Sequence, residues 1–165
     1  MTGAGQIARG ALLGLVSGLV AAGAMSLAHQ LANRIAPKTE TPPPTREKDS
    51  TVQVASAVTR QVGYELPEHQ ESRAGSVVHF AFGGLVGALY GAVAEVVPKV
   101  TALVGLPFGV AVWLGAHVVA VPALGLAKLP TQQPAREETQ ELGLHAVYGM
   151  TTELVRRLLL LVRPI

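Results

Sequence analysis

At 165 residues and 17.1 kDa the chain has room for one domain, and a composition of 49% hydrophobic and 15% charged residues, with a mean hydropathy of +0.38, excludes a disordered tail and a nucleic-acid-binding surface. Thirteen basic residues against eleven acidic ones give a formal charge of +2, so the pI of 9.2 reflects a small excess and no basic patch. The lack of cysteine removes disulfide frameworks, thiolate zinc sites and cysteine nucleophiles, while 18 glycines with only 4% aromatics suit closely packed membrane helices.

Four apolar segments predict an all-α, four-pass transmembrane helical bundle occupying 1–165 as one membrane domain. A bilayer core of about 30 Å needs about 20 helical residues, which each segment supplies. The first, 11–28, contains no charge. The alternative for it is a secretory signal peptide, with Arg9 before the apolar stretch and Ala22-Gly23-Ala24 as its cleavage site. A cleaved segment has no need for the small residues Gly10, Gly14, Gly18 and Ala22 at every fourth position, so a retained helix is expected.

A polar loop follows over 36–75, stiffened by Pro37 and the run Pro42-Pro43-Pro44. Within it, 51–65 places Val52, Ala55, Val58 and Val62 on one face of an amphipathic helix, lying on the membrane or capping the bundle. The second span, 76–97, carries His79, Gly83, Gly87, Gly91 and Glu95 at four-residue spacing. This ridge matches that of the first helix, and the two are expected to face one another, within the monomer or in a homo-oligomer. Glu95 and Lys99, one turn apart, read as an interfacial ion pair. The third span, 100–126, holds one ionisable group, His117. The fourth, 142–162, encloses Glu153, Arg156 and Arg157.

An internal repeat emerges from these boundaries. Pro44-Thr45-Arg46-Glu47 matches Pro134-Ala135-Arg136-Glu137, and His79 to Gly83 matches His145 to Gly149. Glu95/Lys99 answers Glu153/Arg157, and Gly10/Gly14 answers Gly105/Gly109. The common order suggests two repeated helical hairpins related by an axis along the membrane normal.

No Gly-x-Ser-x-Gly elbow, phosphate loop, zinc motif or dinucleotide fingerprint is present, so no catalytic residue, metal or cofactor is expected. Glu137, Glu138 and Glu141 read as acidic residues stabilising a helix N-terminus, and His29 and His69 need no special role. His79 and His145 open equivalent helices and read as interfacial hydrogen-bonding groups. The functional alternative for that pair is a bis-histidine haem site. Charge inside a bilayer is expensive and so faces protein or water. Counting rise per residue from the helix ends brings His117 and Glu153 to one depth, which predicts a buried polar cluster with Arg156 or Arg157 as compensating charge. The alternative is a shallow fourth helix whose arginines snorkel, leaving Glu153 among the headgroups.

Ala94-Glu95-Val96-Val97-Pro98-Lys99, the stretch from Gly109 to Pro122 with His117, and the stretch from Glu141 to Arg157 resemble the YagU-like family of small bacterial inner-membrane proteins of unknown function. The likeness covers Val77 to Arg157, and the first loop departs from it in length and composition. It implies an inner-membrane location with both termini cytoplasmic, and no activity, ligand or catalytic residue. Charge counting opposes that orientation: Arg9, Lys99, Arg156, Arg157 and Arg163 lie on the terminal face, against Arg34, Lys38, Arg46, Lys48, Arg60, Arg73, Lys128 and Arg136 on the other. Five of the latter sit in the acid-rich loop 36–75, with Arg34 just before it, and the resemblance is followed here. The expected function is structural, or assembly- or stress-related, with the lipid bilayer as partner and no nucleic acid. A small transporter or proton-conducting protein using buried His and Glu is the alternative.

Overall fold

The computed structural model describes residues 3–35 and 48–162, and among these the chain is all-α, with no strand. The proline run 42–44, the first copy of the Pro-x-Arg-Glu pair and Arg163 lie outside the described residues. Five helices follow in order: α1 (Gly3–Ile35), α2 (Ser50–Gln61), α3 (Glu68–Val96), α4 (106–123) and α5 (Ala135–Leu161). Three stretches, Gly3–Ile35, Glu68–Val96 and Pro98–Ala123, are long and apolar enough to cross a membrane. With 33 and 29 residues, α1 and α3 extend about 50 and 44 Å, well beyond the bilayer core. They outrun the expected 11–28 and 76–97 because polar residues such as His29, Gln30, Glu68 and Arg73 continue the helices past their apolar runs.

Glycine brings α1 and α3 together in antiparallel contact. Gly10 lies against Gly91, Gly14 against Gly87 and Gly18 against Gly83, backbone on backbone. A Cβ on Gly87 would sit 2.5 Å from the Gly14 carbonyl oxygen and 2.7 Å from Gly18 Cα, so no side chain fits between the helices. Dispersion between the apposed backbones is what holds helices together where lipid offers no hydrophobic drive. α5 packs on this pair, burying Tyr148 and Thr152 beside Ser17, Ala21 and Ala22. The buried hydroxyls are satisfied locally: Ser17 donates to the Leu13 carbonyl (2.7 Å) and Thr152 to the Tyr148 carbonyl (2.8 Å). Leu12, Leu85, Leu89, Leu154 and Leu158 are left exposed, an apolar coat suited to lipid.

The third apolar stretch departs from the single helix expected over 100–126. Pro98 has no N–H and α3 ends before it; a tight 3₁₀ turn, Pro98–Gly105, follows. Inside it Leu103 and Val104 have φ of 49° and 56°, and Gly105 has φ of 79°. A left-handed β-branched residue is strained. α4 therefore starts only at Leu106. Its Trp113–Ala120 portion is a π-helix, in which the Val121 N–H reaches back five residues to the Ala116 carbonyl just before Pro122. Gly105 and Gly109 abut Gly149 and the His145 backbone of α5.

The amphipathic helix ends at Gln61, short of the expected 65, and Gly63 (φ 75°) turns the chain. Only its first half docks. Val52 lies over Gly75 of α3 and Ala55 is buried, whereas Val58 and Val62 stay exposed. Lys48 Nζ pairs with Glu71 Oε1 at 2.6 Å beside this contact.

Candidate functional site: a buried carboxylate lock

Glu153, Arg156 and Arg157 fall at i, i+3 and i+4 of α5, within side-chain reach on one helix face. Glu153 is fully buried and Arg156 is 7% exposed. Arg156 Nε donates to Glu153 Oε2 (2.8 Å), Arg156 Nη2 to Oε1 (3.2 Å) and Arg157 Nε to Oε1 (2.6 Å). From α3, the Tyr90 hydroxyl donates to Oε2 at 2.8 Å. A carboxylate has about four acceptor positions, and these donors fill them. Glu95 Oε1 lies 3.8 Å from Arg156 Nη1, so the two carboxylates and two guanidiniums sum to zero charge.

The lock also fixes the irregular turn. Arg157 Nη2 donates to the Thr101 carbonyl at 3.1 Å, tying Pro98–Gly105 to α5. Phe108 of α4 stacks on Tyr90 with centroids 4.1 Å apart and lies 5.7 Å from Tyr148, whose hydroxyl donates to the Gly83 carbonyl at 2.6 Å. Carboxylate, turn and three helices are thereby joined. Tyr90→Phe keeps the stack on Phe108 and removes one donor from Glu153. It should cost roughly 1.5–3 kcal/mol, the range for hydrogen bonds to charged groups, read as a lowered unfolding midpoint in detergent.

His117 takes no part in this cluster. Its Nε2 lies 3.3 Å from Glu138 Oε1, and its ring is stacked with Trp113 at a centroid distance of 6.5 Å. The expected His117–Glu153 meeting fails because α5 begins at Ala135 rather than 142, so its first acidic turn is what faces His117. Glu153 is 15 residues beyond Glu138, about 22 Å along the helix. The expected Glu95–Lys99 pair gives way to Glu95–Arg156, because the helix ends at Val96 and Lys99 swings into the turn. The snorkelling alternative fails for Arg156, which stays buried against Glu153, while the Arg157 side chain is half exposed.

The histidines expected at the interface are half-buried and pinned. His79 Nε2 donates to the Ala22 carbonyl (3.1 Å) and His145 Nδ1 to the Glu141 carbonyl (2.8 Å). The His145 and His117 rings lie 6.1 Å apart. Among the described residues, Trp113 Nε1 and Glu138 Oε2 are buried without a hydrogen-bond partner, and no three His, Asp or Glu groups are placed to hold a metal ion. Sequence reasoning missed Tyr90 and Phe108. The available signal was Tyr90 itself, a phenol inside an apolar span that needs a partner for its O–H.

A family model described as a protein of unknown function (DUF1440) matches residues 15–154. No curated protein and no solved structure matches the chain.

Proposed function

The chain belongs to the DUF1440 family of unknown function, and from that premise we propose a non-catalytic, four-pass bundle of the bacterial cytoplasmic membrane, with both termini cytoplasmic and a structural or assembly role. The observation that carries this reading is the saturation of Glu153: with every acceptor position filled by Tyr90, Arg156 and Arg157, it holds helices together and has no free lone pair to accept a travelling proton. The transporter alternative needs an open polar path to Glu153, whereas Tyr90, its hydrogen-bond donor from α3, is stacked against Phe108.

A fourth crossing by α5 is supported by where its charges go. Glu153 and Arg156 are buried among helices while Leu154 and Leu158 are outward, so a helix too charged for a hydropathy criterion still offers lipid an apolar side. The backbone contacts of Gly105 with Gly149, like those of Gly18 with Gly83, support two repeated hairpins, with Gly18 rather than Gly10 as the counterpart of Gly105. The glycine ridges are used up inside the chain, so a second copy would have to meet the outer faces. The YagU-like resemblance agrees with this location and orientation.

The cysteine-free sequence makes the test direct. In intact cells, a membrane-impermeant maleimide should label Val58→Cys and Leu129→Cys, and should leave Gly3→Cys, Lys99→Cys and Leu161→Cys unlabelled until the membrane is permeabilised. Labelling of Leu161→Cys together with Leu129→Cys would remove the fourth crossing. Proteoliposomes of the wild-type protein should leak protons no faster than protein-free vesicles, and a flux abolished by Glu153→Gln would replace the structural reading with the transport one.

A further inference from the structure

We propose that His79, His145 and Met25 form a site for a soft monovalent metal ion, Cu(I) or its redox-inert counterpart Ag(I). The three side chains line one cavity of about 50 Å³ between α1, α3 and α5, together with Phe82 and Tyr148. That is room for a single ion and far too little for a porphyrin.

The two rings are prepared as ligands by their outer hydrogen bonds. A backbone carbonyl can only accept, so the Ala22 carbonyl holds the proton of His79 on Nε2 and the Glu141 carbonyl holds that of His145 on Nδ1. The ring nitrogens left to bind an ion are His79 Nδ1 and His145 Nε2, and among the described residues neither has a hydrogen-bond partner. A ligating histidine ordinarily donates its other ring N–H to a carbonyl or carboxylate in this way, which fixes tautomer and orientation.

Donor chemistry selects the ion. The thioether of Met25 is a soft ligand, and thioether with imidazole favours Cu(I). No carboxylate lines the cavity. A divalent ion there would bring two uncompensated charges into an apolar bundle, and a structural zinc site needs four ligands. A neutral two-nitrogen, one-sulfur set suits a low-coordinate ion of single charge. The Tyr148 hydroxyl, which lines the cavity, is already committed to the Gly83 carbonyl, and His117, outside the lining with its ring 6.1 Å from that of His145, has its Nε2 turned to Glu138.

The full chain in detergent micelles, titrated with Ag(I) in chloride-free buffer, tests this through the ring nitrogens. One equivalent should shift the ¹⁵N resonances of His79 Nδ1 and His145 Nε2 and leave those of exposed His69 in place. Met25→Leu conserves volume and should fold like the wild type, yet weaken Ag(I) binding on the order of tenfold or more. His145→Gln should abolish it. The proposal is overturned if Met25→Leu binds Ag(I) as tightly as the wild type, if His69 shifts in step with His145, or if Zn(II) occupies the same two nitrogens with equal affinity.

Discussion

Glu153→Leu should unfold the bundle under conditions in which Glu153→Gln still gives a cooperative melt. Leucine fits a buried helix position and removes a charge from an apolar bundle, so hydropathy alone would score it as an improvement. The geometry gives the opposite sign. Arg156 is left with its guanidinium in a site where its side chain is 9% exposed, and the remaining carboxylate, Glu95, lies 3.8 Å away and makes no close hydrogen bond to it.

 Removing one partner of a buried ion pair typically costs about 3–5 kcal/mol, because the other charge stays behind without compensation. Arg157 loses the same acceptor but is half exposed and turns to water, so it adds little. Glutamine keeps one carbonyl acceptor for Tyr90 or an arginine and should fall between wild type and leucine. The double variant Glu153→Leu/Arg156→Met withdraws both charges together and should recover much of the loss, since a buried pair replaced by apolar residues of similar volume is often neutral. Thermal unfolding of the four proteins in one detergent measures the order. Equal midpoints for Glu153→Leu and Glu153→Gln would mean that the carboxylate is not the group holding Arg156 in the bundle.

What the sequence made legible was governed by the scale of each feature. The apolar runs and the four-residue glycine spacing are long-range patterns, and they locate α1, α3 and the seam between them. Helix ends are set by other forces. Hydropathy marks where a helix leaves lipid, whereas hydrogen bonding continues through His29 and Gln30 at one end and Glu68 to Arg73 at another. The same distinction explains the misplaced polar cluster. Starting the last helix at its apolar run, 142, rather than after Pro134 displaced its origin by seven residues, about 10 Å, and so matched His117 to the wrong carboxylate. The left-handed turn at Leu103 and Val104 was illegible for a different reason. Neither residue favours that conformation, and it is held by partners distant in sequence: Arg157 on the Thr101 carbonyl and Gly149 against Gly105. Arg156 and Arg157 were recognisable as companions of Glu153 from their spacing alone, since i+3 and i+4 on a helix guarantee reach. Tyr90 comes from another helix and required the packing to be known.

Alanine substitution of the glycines should change sign according to what the new methyl group meets. In a helix interior, Gly→Ala gains about 0.8–1 kcal/mol of intrinsic propensity. At Gly23 the nearest atom to a new Cβ is a Phe80 ring carbon at 3.8 Å, and at Gly143 nothing lies within 4 Å, so both substitutions should stabilise by up to that amount. At Gly84 the methyl would meet the side-chain ends of Leu15 and Leu19 at 3.1 Å, which can shift, and the net change should be small. At Gly87 the obstacles are the Gly14 carbonyl oxygen at 2.5 Å and Gly18 Cα at 2.7 Å, backbone atoms that move only if the helices separate. Overpacking of this kind costs about 1–3 kcal/mol, enough to outweigh the propensity gain. Gly87→Leu should be worse still and should part α1 from α3, while Val86→Leu, one position round the same helix and half-exposed, should be tolerated. Unfolding midpoints in detergent, with oligomeric state followed by size exclusion, test the series. If Gly87→Ala proved as stable as Gly23→Ala, the two helices would not be held at backbone contact, because the Gly14 carbonyl leaves that methyl nowhere to go.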